Sequence, residues 1–227
     1  MIPWVHLDTA AVPDGGGELR LMQRGSEFSI MSGSVELMNS RLSGSEEALA
    51  TLAAERIGGR ARARILIGGL GMGFTLRATL AAFGPDAQIV VAELVPAVVA
   101  WARGPMAHIT DGCLDDPRVS IRERDVSGLI ASPEAPIDAI LLDVDNGPGG
   151  LSRPENDRLY SKAGLRTALA ALTPGGLLAV WSSGPNAEFA RRLAGNGFNV
   201  EEVKVRATKS GRGARHVIWI GTRPSPT

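Results

Sequence analysis

Residues that could bind a ligand or take part in chemistry follow two neighbouring apolar runs of this chain. Three glycines come directly after the first run, residues 65–68, and they are Gly69, Gly71 and Gly73. Glu93 ends the second run, residues 88–92. Glycines let the backbone turn sharply against a ligand, and a carboxylate about 20 residues later is placed to accept hydrogen bonds from two ribose hydroxyls. The pairing predicts a bound nucleoside, and the alternative is a tight turn without a ligand.

The glycine turn does not suit every nucleotide. Phe74 stands where a dinucleotide-binding fingerprint has its last glycine, and its ring would obstruct packing around a pyrophosphate. No Gly-Lys-Ser/Thr follows the glycines, as a Walker phosphate loop requires. The spacing therefore favours a ligand without phosphates, such as an S-adenosyl nucleoside.

Further carboxylates follow later apolar runs. Asp125 is placed to accept a hydrogen bond from an adenine amino group, or else only caps a helix over residues 126–130. Asp143, Asp145 and Asn146 follow the run 137–142, and polar groups at such a strand end are costly unless they meet solvent, a cation or a substrate. Asp143 is the candidate catalytic residue, which would hold an amine or take its proton. Asp145 and Asn146 are candidate substrate-binding residues, or they supply the hydrogen bonds of a local turn.

The elements that must position these residues alternate between strand and helix. We predict strands over 64–68, 88–93, 118–123, 137–143 and 176–182, and helices over 74–83, 96–103, 159–172 and 185–195. Near-continuous apolar strands separated by helices indicate a parallel sheet that is covered on both faces. Residues 198–205 and 216–221 predict an antiparallel hairpin at the end of the chain. This α/β layout is typical of class I methyltransferase-like Rossmann folds.

The N-terminal part differs from the rest. Residues 17–24, 27–32 and 34–40 are short segments separated by turn signals at Gly25 and Gly33, which predict a small antiparallel meander. A helix with acidic residues in its first turn follows over 46–57. We therefore expect a β meander over residues 1–44 and a Rossmann-like nucleoside-binding domain over residues 45–227.

Composition restricts the function classes. Lys and Arg together number 24, and Asp and Glu together also number 24, so the formal net charge is zero. The chain therefore has no overall positive charge that would attract nucleic acid or an anionic membrane. No apolar run is long enough to span a bilayer. The histidines are scattered and Cys113 is the single cysteine, so we expect neither a metal site nor a disulfide. The cytoplasm is the expected compartment.

These motifs resemble the spermidine synthase family from about Ser32 to about Val205. The segment from Gly69 to Arg77 is similar in length and pattern to the family's Gly-Gly-Gly-Asp-Gly-Gly-Thr-Leu-Arg loop. The segment from Glu93 to Val99 resembles Glu-Ile-Asp-Pro-Glu-Val-Val, and residues 143–148 lie where the family has Asp-Ser-Ser/Thr-Asp-Pro.

The resemblance implies an aminopropyltransferase that takes its group from decarboxylated S-adenosylmethionine and gives it to a small amine acceptor. In this interpretation Glu93 holds the ribose, Asp125 the adenine, and Asp143 the attacking amine. The resemblance also implies that the N-terminal β domain contributes to a homodimer.

The chain departs from the family pattern at three places. Met72 replaces the loop aspartate, Asn146 replaces the second strand-end aspartate, and residues 45–50 lack the family's Tyr-His pair. Without an anion near the donor's amino-acid tail, a methyltransferase that uses intact S-adenosylmethionine on an unknown acceptor is an alternative. A nucleoside-binding homologue without turnover is a second alternative.

Overall fold

Two β-sheets and eight helices make up the described part of the computed structural model, which comprises residues 2–57, 59–144, 146–148, 157–208 and 213–225. The N-terminal sheet has four antiparallel strands in the order β1-β2-β3-β4, and these are β1 (Val5–Ala11), β2 (Glu18–Arg24), β3 (Glu27–Ser32) and β4 (Val35–Asn39). Gly25 and Gly33 have positive φ angles of 61° and 55° and form the tight turns between the last three strands. The predicted meander therefore has one strand more than its sequence indicated.

The additional strand is β1, and its exposure explains why the pattern did not reveal it. Val5 and Leu7 are 53% and 39% exposed, so alternation along β1 does not mark a buried face. Its pairing with β2 also shifts register between His6 and Asp8. A strand without a buried face has little periodicity to detect.

The second sheet has seven strands in the order β10-β11-β9-β8-β5-β6-β7. These strands are β5 (Arg64–Gly68), β6 (Gln88–Glu93), β7 (Val119–Glu123), β8 (Ile137–Leu142), β9 (Leu172–Ser182), β10 (Asn199–Arg206) and β11 (Arg215–Thr222). Strands β5 to β9 pair in parallel, whereas β11 pairs antiparallel with both β9 and β10. The predicted α/β class, with its parallel sheet and C-terminal antiparallel hairpin, is confirmed.

Helices connect and cover the parallel strands. They are α1 (Gly44–Ile57), α2 (Phe74–Ala82), α3 (Pro96–Arg103), α4 (Ala107–Thr110), α5 (Val126–Ala131), α6 (Asp157–Tyr160), α7 (Lys162–Ala171) and α8 (Ala187–Gly195). The single helix predicted over 159–172 is wrong, because extended Ser161 separates α6 from α7 and accepts the Gly164 N–H through its side chain. None of the described helices is long and apolar enough to cross a membrane.

The N-terminal sheet packs on the same core as the first half of the larger sheet. Leu21 and Phe28 are at most 1% exposed and belong to one buried cluster with Ile67 of β5. The Trp101 indole N–H donates to Asp8 at 2.7 Å, which fixes β1 against α3. The two sheets are therefore joined by apolar contacts and by a specific hydrogen bond.

Candidate active site

The candidate site lies where the strand order of the larger sheet reverses. Strand β5 is central and has β6 on one side and β8 on the other. The Asp143 N–H donates to the Gly68 carbonyl at 3.0 Å, which brings the residue after β8 beside the glycine turn after β5. In open α/β sheets ligands bind beyond the carboxyl ends of the strands at such a switch point.

A cavity of about 230 Å³ opens at this point between the two sheets. Five residues proposed from the sequence line it: Gly69, Gly71, Glu93, Asp125 and Asp143. Residues of the N-terminal sheet and of the turns beside it form an apolar wall that includes Leu19, Ile30, Leu37 and Met38. Since water occupies roughly 30 Å³ in the liquid, this volume suits a small organic molecule better than a few ordered waters.

The glycine turn has a backbone that other residues could hardly adopt. Gly69 has φ 89°, and a Cβ built on it would lie 2.4 Å from the Asp143 carbonyl oxygen. A Cβ on Gly71 would lie 2.6 Å from the Met38 sulfur. These contacts explain why both positions lack side chains, and they bring the backbone to the cavity wall.

Gly73 differs from the other two glycines. It has φ 79° and precedes the first residue of α2. A Cβ on it would meet Thr110 at 3.3 Å and Cys113 at 3.5 Å, and Gly73 is not among the cavity residues. In this structure Gly73 begins a helix and does not line the cavity.

Glu93 is held by backbone N–H groups of the glycine turn after β5 and of the turn after β6. The Leu70 N–H donates to Oε2 at 2.9 Å and the Val95 N–H donates to Oε1 at 2.9 Å. Burial raises the pKa of Glu93, and these backbone donors oppose that effect. The backbone N–H groups of Gly71 and Leu94 also act on the carboxylate, which is therefore fixed in place at the cavity wall.

Asp125 caps α5, as one of its two interpretations expected. Its Oδ1 accepts the Ser127 N–H at 2.7 Å, and the residue also lines the cavity. The cap uses one carboxylate oxygen, so capping and contact with a ligand are compatible.

The turn after Asp143 is anchored to the end of β9. The Ser183 N–H donates to the Asn146 carbonyl at 3.2 Å, and Asn146 is not among the cavity residues. Asp145 lies outside the described residues. Of the three polar residues predicted after β8, only Asp143 is at the cavity in the part of the chain described.

Asp143 lines the cavity with a carboxyl group whose pKa is shifted far from its ordinary value. The Thr75 hydroxyl donates to its Oδ2 at 2.7 Å. Burial, together with the negative charge of nearby Glu46, raises the pKa of Asp143 to about 7. A carboxyl group with this pKa can take or give a proton near neutrality.

Sequence reasoning missed Glu46 as a site residue. Its position in the first turn of α1 indicated only a favourable interaction with the helix dipole, but the side chain lines the cavity. The Ser45 hydroxyl donates to Glu46 Oε2 at 2.7 Å, and His216 Nδ1 lies 2.8 Å from the same hydroxyl. One signal in the sequence could have indicated Glu46: residues 45–50 differ from the resembling family where that family has a Tyr-His pair.

Met72, the departure from the family loop, is a core residue. Its side chain is fully buried, and it is not among the residues that line the cavity.

Trp181, by contrast, lines the cavity, and its buried indole N–H has no hydrogen-bond partner in the described structure.

The cavity wall is acidic. Four carboxyl groups and one guanidinium line it within the described residues, and they are Glu46, Glu93, Asp125, Asp143 and Arg124. The same described ranges contain no group of three or more His, Cys, Asp or Glu side chains arranged to hold a metal ion. Such a wall favours a cationic ligand over an anionic one.

Comparison with curated proteins finds polyamine aminopropyltransferases. The chain is 36% identical over 128 residues to the enzymes of two Mycobacterium tuberculosis strains and of Mycobacterium bovis. The match covers 55% of this chain and 23% of those proteins, so the chain spans about a quarter of their length. No protein-family model matches the chain.

Solved structures share the fold over almost the whole chain. A spermidine synthase from Thermotoga maritima has a TM-score of 0.75 at 14% identity, covering 97% of this chain and 74% of that one. A spermidine synthase in complex with the transition state analogue AdoDATO has a TM-score of 0.74 at 14% identity, covering 97% of this chain and 73% of that one. At these identities the likeness concerns the fold. The chain is therefore similar in fold to spermidine synthases and, over 128 residues, similar in sequence to polyamine aminopropyltransferases.

Proposed function

We propose that this chain transfers an aminopropyl group from decarboxylated S-adenosylmethionine to a small amine. The observation that carries the proposal is the acidic cavity at the switch point, in which Asp143 has a pKa of about 7. The partial similarity to polyamine aminopropyltransferases supports the same reaction.

In this proposal the nucleoside half of the donor lies along the strand ends. Glu93 accepts hydrogen bonds from the ribose hydroxyls while its backbone donors keep it fixed. Asp125 accepts from the adenine amino group, and the apolar wall from the N-terminal sheet covers the purine. Gly69 and Gly71 let the backbone approach the ligand closely.

Asp143 would bind the acceptor amine and take its proton. The amine nitrogen then attacks the carbon next to the sulfonium, a C–N bond forms, and the C–S bond breaks. The electron pair of the broken bond stays on sulfur, which leaves as the neutral thioether methylthioadenosine. The proton that the amine lost before the attack stays on Asp143, whose carboxyl group is ionised in a large fraction of molecules near neutrality, and the new secondary amine is left protonated.

The charge of the cavity favours the decarboxylated donor. Its sulfonium and ammonium groups are both cationic, whereas intact S-adenosylmethionine adds a carboxylate that the acidic wall repels. The methyltransferase alternative depended on Met72 beside the donor's amino-acid tail. A buried Met72 outside the cavity wall removes that argument.

Exchange of Asp143 tests the proposed chemistry. Asp143→Asn keeps the shape of the side chain but removes the base, so release of methylthioadenosine in the presence of a diamine should fall by about 100-fold or more. Calorimetric binding of methylthioadenosine should persist. Asp86→Asn, at an exposed turn, is the matched control and should keep the wild-type rate.

Equal rates for wild type and Asp143→Asn would contradict the assignment of the base. A wild-type protein that binds the nucleoside but never releases methylthioadenosine would favour the homologue without turnover.

The resemblance also carries proposals for assembly and compartment. We propose a homodimer in the cytoplasm, to which the N-terminal sheet contributes. Ile2, Val5 and Leu7, in and beside the edge strand β1, are exposed apolar side chains that such an interface would cover. Sedimentation equilibrium measures the mass directly, and a monomer would contradict the proposed dimer.

A further inference from the structure

Two carboxyl groups reach the same cavity from different elements. Glu46 comes from the first turn of α1, and Asp143 follows β8. The Thr75 hydroxyl lies 2.7 Å from Asp143 Oδ2 and 3.3 Å from the Glu46 backbone carbonyl oxygen, so Thr75 of α2 links the Asp143 side chain to the backbone of α1 at Glu46. Their arrangement is therefore fixed by three elements.

The Glu46 side chain is also fixed from its other side. Ser45, which is fully buried, donates to Glu46 Oε2, and His216 of β11 contacts the Ser45 hydroxyl. Trp181 packs against the His216 ring with centroids 4.8 Å apart. This support holds a carboxylate in one position at the cavity wall, where binding a ligand would cost little further ordering.

Two partly buried carboxylates at one cavity destabilise each other unless a cation lies between them or near them. Burial raises the pKa of Glu46 as well as that of Asp143, and each group thus binds a proton more readily than in water. A ligand ammonium would relieve the same desolvation and repulsion, and it would donate up to three hydrogen bonds.

We propose that Glu46 and Asp143 together form a two-carboxylate site for a primary ammonium group. The inference rests on the proposed function and assigns Glu46 as a residue that determines its specificity. The ammonium belongs to the aminopropyl chain of the donor or to the amine acceptor, since both ligands carry this group. Glu46 thereby supplies a carboxylate at the cavity of a chain whose glycine turn has Met72, outside the cavity wall, where the family has an aspartate.

Other charged groups lie near Glu46 and Asp143. Glu93, Asp125 and Arg124 line the same cavity, His216 reaches Glu46 through Ser45, and the charge of Glu47 acts on Glu46 along α1. Glu47 lines a different cavity beside Cys113, so Glu47→Gln removes a charge that acts on Glu46 through space but leaves every side chain that lines the proposed site in place. It is the matched control for Glu46→Gln.

The test is calorimetric titration of wild type, Glu46→Gln and Glu47→Gln with 1,4-diaminobutane, decarboxylated S-adenosylmethionine and methylthioadenosine. Removing a charged hydrogen-bond partner should weaken ammonium binding by about 10-fold to 100-fold in Glu46→Gln. Methylthioadenosine, which has no ammonium, should bind both variants as it binds wild type. Loss confined to the diamine assigns the site to the acceptor, and loss confined to the donor assigns it to the aminopropyl chain.

A second measurement is the pH dependence of ammonium binding, first in wild type, whose folding no substitution affects, and then in Glu46→Gln. Ammonium binding requires ionised carboxylates, so affinity of wild type should rise between about pH 6 and about pH 8, and in Glu46→Gln the rise should move to lower pH because the neighbouring charge is gone. A purely structural role for Glu46 would leave this pH profile in place.

Two results would overturn the inference. Equal affinity of Glu46→Gln and wild type for both the donor and the diamine would overturn it while leaving the proposed function intact. A wild-type protein that binds methylthioadenosine but neither ammonium ligand would overturn both.

Discussion

Two carboxyl groups at the same cavity, buried Glu93 and partly buried Asp143, have different hydrogen-bond partners, and this difference supports their different proposed roles. Glu93 accepts two backbone N–H groups, which favour its ionised form and keep it in place. Asp143 accepts a single hydroxyl hydrogen bond and faces a second carboxylate, so its pKa is raised to about 7. One group is suited to hold a ligand, and the other is suited to exchange a proton.

The raised pKa of Asp143 predicts a pH-dependent effect of Asp143→Asn on stability. The folded-state pKa of about 7 lies above the ordinary value of 3.8, so wild type loses stability as pH rises between these values and the neutral variant does not. Urea unfolding should therefore show Asp143→Asn gaining about 2 kcal/mol relative to wild type between about pH 5 and about pH 8. If the difference in the free energy of unfolding between Asp143→Asn and wild type is the same at about pH 5 and about pH 8, Asp143 does not titrate in this range.

Glu93→Gln should weaken nucleoside binding. The amide has one oxygen where two backbone N–H groups need acceptors, so its NH₂ would face a donor. We expect methylthioadenosine affinity to fall by about tenfold or more and the free energy of unfolding to fall by about 1–3 kcal/mol. Glu123→Gln is the control, because Glu123 is paired with Glu93 in the sheet but is exposed on the neighbouring strand. Unchanged nucleoside affinity in Glu93→Gln would remove Glu93 from the proposed site.

The difference between Glu93 and Glu46 shows what spacing along the chain can reveal. Glu93 follows a buried strand at the distance typical of nucleoside sites, so its location was predictable. Glu46 reaches the cavity only because α1 packs against α2 and the end of β8, and that packing depends on contacts between distant parts of the chain.

At the scale of elements, the glycine turn links strand β5 to the cavity through one close backbone approach. A Cβ at Gly69 would lie 2.4 Å from the backbone carbonyl oxygen of Asp143. Because Asp143 follows β8 directly, a shift of the turn would require a shift of the end of β8. The turn after β5 and the residue after β8 are thus a single structural unit.

Gly69→Ala should destabilise the protein more than an equivalent change in a turn with open space around it. Gly33 also has a positive φ, of 55°, but a Cβ built on it meets nothing within 4 Å. Gly33→Ala should cost only the left-handed strain of about 1–2 kcal/mol, and Gly69→Ala should cost at least about 2 kcal/mol more because of its clash. Urea unfolding of both variants measures the difference, and equal losses would argue against the close approach.

The parallel strands were predicted to within a few residues, whereas β1 and the break between α6 and α7 were not. Buried parallel strands are continuously apolar and alternate with helices, which is a strong local signal. The break at Ser161 depends on a side-chain cap, and β1 depends on pairing with β2. Neither feature produces a hydrophobic period.

At the scale of the whole molecule, the N-terminal sheet closes the cavity that the larger sheet opens. Met38 of β4 contacts the glycine turn, and the Phe28 ring lies 5.5 Å from that of His108. The division at residue 44 therefore separates two sheets that share one core, and we propose that they are one folding unit.

Shared burial predicts a single cooperative unfolding transition. Indole fluorescence, which includes Trp101 at the contact between the sheets, and far-UV circular dichroism should give the same urea midpoint. Two separate transitions would contradict the proposal and would indicate that residues 1–44 and 45–227 fold independently.

The preference of wild-type protein between two donor molecules is the sharpest test of the acidic site. Calorimetric affinities for decarboxylated and intact S-adenosylmethionine compare two ligands that differ by one carboxylate, which would lie in a cavity walled by four carboxyl groups. The acidic site predicts that the decarboxylated donor binds at least about tenfold more tightly. Tighter binding of the intact donor would contradict the account.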